Sequence, residues 1–200
     1  MRSSTNGGYD FAADPNLPAP KARALWDPKV DPSVVVLQKV PKVLSGAVEP
    51  TILPEGTVKY AHDGIHHLLD ASGKHRLQIL QSDPDADALV AIVPLDQDGF
   101  ARLDAVFRLL AQLHGRLLPD DKRLTRQKRL RAKRMLQAYD GHMARASQRE
   151  IAEVVFRLSR VSRDEWQSAP ERFAVMALLR DARKMVEGGY CTLLRSRRVY

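Results

Sequence analysis

Residues 122–134, KRLTRQKRLRAKR, carry eight Lys or Arg in thirteen positions and no acidic residue. Such a run cannot enter a core, because a buried unpaired charge costs more than packing returns, so it must lie at a surface or against an anion. Behind it, SQREIAEVVF (147–156) has the spacing of a short amphipathic helix. APERFAVMALLRDARKMVEGG (169–189) has that of a longer one. Basic helix, short capped helix and longer amphipathic helix is the order of a helix-turn-helix DNA-binding unit.

The starts of these helices follow from capping chemistry. Ser147 and Glu150 form the S-x-x-E pattern in which each side chain satisfies the other's helix-end donors. Ser168-Ala169-Pro170-Glu171 reads as a second such box, with Pro170 in the first turn, where no amide donor is needed. Ile151, Val154, Val155 and Leu158 are then expected to face inward, as are Ala174, Val175, Leu178, Leu179, Ala182, Met185 and Val186 of the longer helix. Arg172, Arg180, Arg183 and Lys184 fall on its opposite face, and Gly188-Gly189 ends it. In the basic helix the apolar stripe is confined to Ala132, Met135, Leu136, Tyr139 and Met143. Pro119-Asp120-Asp121 precedes it and would place acids at its positive end.

Upstream the period changes. Five prolines within residues 1–32 keep that segment extended, an arm whose large apolar pair, Leu25-Trp26, is expected to pin it to the body. VVVLQKV, TVKYA, IHHLLD, HRLQILQ and ALVAIVPL are strand-like runs separated by His62-Asp63-Gly64, Ala71-Ser72-Gly73-Lys74 and Asp83-Pro84-Asp85. They read as an antiparallel meander. Phe100, Leu103, Val106, Phe107, Leu110 and Leu113 share one helical face and are expected to pack on it as core. The reading is therefore α+β: arm 1–32, antiparallel β subdomain 33–95, helical DNA-binding domain 96–200.

Charge follows that division. Residues 1–100 hold 9 Lys and Arg against 13 Asp and Glu, whereas residues 101–200 hold 23 against 11. The asymmetry assigns a polyanion to the second half. One cysteine, Cys191, rules out an internal disulfide, and no apolar run approaches the length needed to span a bilayer, which reads as a soluble cytoplasmic chain.

With these residues in place, the chain resembles a bacterial family once catalogued only as a domain of unknown function. Its members include a DNA-binding regulator of type VI secretion, and activators and antiactivators controlling transfer of conjugative elements. ALWDPKVDPSVV (24–35), SQREIAEVVF (147–156), Trp166 and DARKMVEGGYCTLL (181–194) carry the likeness. It implies a variant helix-turn-helix, with 147–157 as supporting helix and 169–187 in the recognition position. Because FAVMALL is apolar where a base-reading helix carries polar side chains early on, residues 173–179 are not expected to read bases directly. The expected DNA contacts are Arg126, Lys128, Arg129, Arg131, Lys133, Arg134, Gln148, Arg149, Arg172, Arg180, Arg183 and Lys184.

Other chemistry finds little support. His66 and His67 would point to opposite faces of a strand and no ligand motif accompanies them, so no metal is expected. Cys191 lacks a base partner, no glycine-rich loop opens a helix, and Asp83, Asp85 and Asp87 lack the closing Glu of a calcium loop, which leaves no catalytic residue, cofactor or small-molecule substrate. The expected partner is double-stranded DNA, with self-association or a related regulator as a further one. The alternative is an antiactivator that sequesters a related regulator without touching DNA. RNA binding would need a stacking platform of aromatics, and none is visible.

Overall fold

The computed structural model describes residues 7–9, 24–71, 75–118, 124–159 and 162–195. The prolines at 15–20, the turn at 72–74, Pro119-Asp120-Asp121, Lys122, Arg123 and the tail beyond Arg195 lie outside the described residues. The chain forms two compact units, Met1–Asp121 with Leu194–Tyr200, and Lys122–Leu193. Its class is α+β.

The first unit is built on five strands: β1 (Val35–Lys39), β2 (Thr57–Ala61), β3 (Gly64–Ala71), β4 (His75–Gln81) and β5 (Leu89–Ile92). Every run expected to be a strand is one, but the sheet is not a meander. Its order is β2-β3-β4-β1-β5, and β1 pairs with β4 in parallel, Val35 opposite Ile79 and Leu37 opposite Gln81. The reason lies in β1 itself, where Val35 and Leu37 are buried. A meander would leave this apolar, β-branched strand at an edge, whereas insertion between β4 and β5 covers both its flanks. At the β2–β3 turn Gly64 has φ 138°, and a Cβ there would lie 2.2 Å from the Gln81 carbonyl oxygen, so only glycine fits.

Helix α1 (Gly99–Leu113) covers one face of this sheet, setting Ala105 and Leu109 against Val35, Leu37, Leu69, Leu77, Ile79 and Leu89. The expected core face is only partly the buried one: Val106 and Leu113 pack against the sheet core, but the rest of the stripe does not. Phe100, Leu103, Phe107 and Leu110 are 46–59% exposed, while Ala105, Arg108, Leu109 and Ala111 are buried. Small alanines let the helix approach the strands closely, and the bulkier stripe is left outward. Because α1 packs on the sheet, it belongs to the same compact unit, which runs to residue 121.

On the other side of β4, the described part of the arm is tied down through polar groups. Gln78, buried, accepts the Trp26 amide N–H at 2.8 Å and donates to the Trp26 carbonyl at 2.8 Å, acting as a piece of strand. Leu25 is buried, and Gly8 bridges Trp26. The Tyr9 hydroxyl donates to Asp63, whose other oxygen is 3.1 Å from Nε2 of the fully buried His66. These donors pull the Asp63 carboxyl below its ordinary range against the opposing effect of burial, the largest single influence on it.

The second unit contains α2 (Arg126–Met143), α3 (Gln148–Phe156), α4 (Arg163–Ser168) and α5 (Pro170–Lys184). A π-type turn (Met185–Gly189) and a last turn α6 (Cys191–Leu194) follow. Met135, Ala138, Ile151, Ala152, Val155, Val175, Leu178, Leu179 and Ala182 form its core. Leu136, Met143, Val154 and Val186, expected inside, are exposed. The helices instead meet through small residues. Ala138 and Ala152 are fully buried, and a Cβ on Gly141 would lie 3.0 Å from Ile151 Cγ1.

Candidate nucleic-acid interface

Helix α2 begins without the acids that helix starts favour. Its N-cap is Thr125, whose hydroxyl accepts the Lys128 N–H at 3.2 Å, and its first turn contains no acidic residue. Arg126, Lys128 and Arg129 instead crowd the positive end of the helix dipole, all exposed, with Lys133 exposed one turn on. That arrangement destabilises the free helix and favours any anion that approaches.

Further along, the expected contact residues are positioned by neighbours. Arg131 donates to one oxygen of Asp181 on α5, and Arg180 Nε lies 3.3 Å from the other. Cations from two helices therefore meet on one carboxylate. The Arg131 hydrogen bond is the largest influence on Asp181 and holds it below the ordinary carboxylate range. Arg183 contacts His142 Nε2 at 3.1 Å, Arg134 lies 5.7 Å above the centre of the Phe156 ring, and Arg129 donates to the Leu124 carbonyl at 3.1 Å. Arg172 reaches the Gln167 carbonyl at 3.4 Å, and Arg149 lies 4.0 Å from Glu153. Gln148 and Lys184 are exposed.

The capping of α3 is as expected: Ser147 and Glu150 complete both halves of the box, and the Ser147 hydroxyl and amide hold the Glu150 carboxyl below its usual range. The second box sits elsewhere. Ser162 and Glu165 form it at the start of α4, while α5 starts at Ala169 with no side-chain cap and Pro170 at its first position. The Ser168 hydroxyl turns back to the Glu165 carbonyl. The long connection after α3 thus contains a helix of its own.

Asp181, His142 and Phe156, which orient the arginines, carry little local signal: apart from Arg180, which is next to Asp181 in the chain, each meets its partner across elements. Phe173 and Met176 were legible. At 100° per residue they lie off the face centred on Val175, Leu178 and Leu179, and both are exposed.

The second unit holds 17 Lys and Arg against 8 Asp and Glu in its sequence, and none of the described cations on its helices is buried. It is a basic helical module fitted to a polyanion. A family model described as the DNA-binding domain of a T6SS (type VI secretion) transcription factor matches residues 92–195, just over half of the chain, and the chain belongs to that family. No curated protein and no solved structure matches it. The family is one of DNA-binding regulators. Among the described residues no helix is long and apolar enough to cross a membrane, and no cluster of His, Cys, Asp and Glu is arranged to hold a metal.

Proposed function

We propose that this protein regulates transcription by binding double-stranded DNA through its second unit, with α3 and α5 as a variant helix-turn-helix and α2 as a phosphate-holding helix, at a conjugative-element or secretion locus. The observation that carries this reading is the start of α2, where three cations stand against the helix dipole with no acid in the first turn. A solvated surface has no use for that arrangement, whereas a row of phosphates relieves it. The packing of α3 and α5 on each other and on α2 supports it, since such a trihelical unit can present one helix to a groove. In this reading Arg126, Lys128, Arg129, Lys133 and Arg134 hold the backbone, and Gln148, Arg149, Arg172, Arg180, Arg183 and Lys184 lie toward the groove.

The test is the salt dependence of binding. Replacing Arg126, Lys128 and Lys133 by Ala should weaken binding to all duplexes alike and flatten the slope of log K against log salt by about 0.9 for each lost phosphate contact. An unchanged slope would remove α2 from the interface. A second reading, the antiactivator, is favoured by the outward stripe of α1, Phe100, Leu103, Phe107 and Leu110, which suits a protein surface better than DNA. It predicts copurification with a related regulator and no DNA binding at low salt.

A further inference from the structure

We infer that Phe173 and Met176 read thymine methyl groups in the major groove. This rests on the proposal that α5 enters that groove. Phe173 is 66% exposed and Met176 48% exposed, in the first two turns of α5, while Val175, Leu178 and Leu179 of the same helix are buried. The two side chains are three residues apart and Arg180 lies four further on, so the three share one outward stripe.

A helix needs no exposed phenyl and thioether for its own stability, and a polar residue would be better solvated at either place. The first turns of a recognition helix are those that meet base edges. The only apolar feature on the floor of the major groove is the thymine C5-methyl.

Charge selects DNA as the occupant. Arg172, Arg180, Arg183 and Lys184 are exposed on α5, and its acids are set aside: Asp181 is engaged by Arg131 and Arg180, and Glu171 is half-buried. The exposed acids nearest the pair along the chain are Glu165, held in the Ser162 capping box at the start of α4, and Glu187, in the turn that follows α5. A two-fold contact with a second copy through this face would set these cations against their own counterparts. A polyanionic duplex carrying methyl groups matches both the apolar pair and its flanking charge.

The test uses the full-length protein and a duplex recovered by selection from a random library, with each thymine replaced in turn by deoxyuridine. That change removes one methyl group and leaves the pairing intact. At one or two positions the wild-type protein should lose about fourfold in affinity, the effect of one buried methyl, and Phe173→Ala or Met176→Ala should bind thymine and deoxyuridine equally there.

Equal wild-type binding at every position would overturn the inference, as would a folded Phe173→Ala, Met176→Ala double variant that still discriminates. The deoxyuridine series leaves the protein unaltered, so it decides even if a variant fails to fold. Selection of a site with no methyl dependence sinks methyl reading alone. No binding to any duplex at low salt sinks the DNA reading itself, and a change in solution mass on Phe173→Ala without a change in DNA affinity would assign the pair to a second copy.

Discussion

Arg131 on α2 and Asp181 on α5 form an ion pair that Arg180 completes from the other side of the carboxylate. One acid thus occupies two of the cations expected to face DNA. Asp181→Asn should release both, raise affinity for random duplex about threefold or more at low salt, and steepen the salt slope. As a surface pair it contributes no more than about 1 kcal/mol to stability. Titration at several salt concentrations beside thermal melts checks both. Weaker binding by the Asn variant would show that the carboxylate instead positions the arginines.

The start of α2 sets stability against binding. Arg126→Glu places an acid where the dipole favours one and should stabilise the free protein by about 0.5–1 kcal/mol at low salt, an effect that fades as salt is added. The same change should weaken DNA binding. A lower melting temperature would mean that Arg126 has a structural role not visible in its exposed position.

His67 gives the first unit a pH dependence. Burial, the largest influence, holds its pKa below the ordinary 6.5, with His66 acting in the same direction and the hydrogen bond to Gln81 opposing. The folded state thus favours neutral imidazole more than the unfolded chain does. Its contribution is fully present above pH 6.5 and is lost as pH falls through the folded pKa. Melting temperature should fall between pH 7.5 and 5.5, and fall less in His67→Gln. Identical profiles would assign the decline to other groups.

A fragment beginning at Lys122 should fold, because the second unit has its own core from Met135 to Ala182. It should keep non-specific DNA affinity with a salt slope close to that of the whole chain. A helical circular dichroism spectrum with no DNA binding would place the necessary contacts upstream of residue 122.

Local chemistry was the readable part of this chain. The Ser147–Glu150 box needs only four adjacent residues, and the strand runs separated by His62-Asp63-Gly64 and Asp83-Pro84-Asp85 announce themselves through β-branching and turn residues. Sheet order was not readable, since insertion of β1 beside β4 joins residues some forty positions apart, such as Val35 and Ile79. The outward turn of Phe100 and Phe107 defeats a pattern rule for a similar reason. A helix with apolar residues on two faces buries the one that fits, and Ala105 fits the strands more closely than a phenyl ring. Ser162 and Ser168 both stand three residues before a Glu; Ala169 took the cap position because Pro170 could start the helix there. The convergence of Arg131 and Arg180 on Asp181 depends on how two helices cross, which neither helix encodes by itself.

The position of Arg134 over the Phe156 ring bears on how quickly and how selectively the protein can let go of DNA. A guanidinium already held over an aromatic ring has given up part of its rotamer freedom during folding. Docking onto a phosphate then removes less, where a freely rotating side chain would surrender about 0.5–1.5 kcal/mol at that moment. Arg126 and Lys128 retain that freedom and lose it on contact. In the proposed DNA complex the basic helix would therefore grade from a loose leading end, suited to sampling many phosphates in succession, to a preset anchor at Arg134.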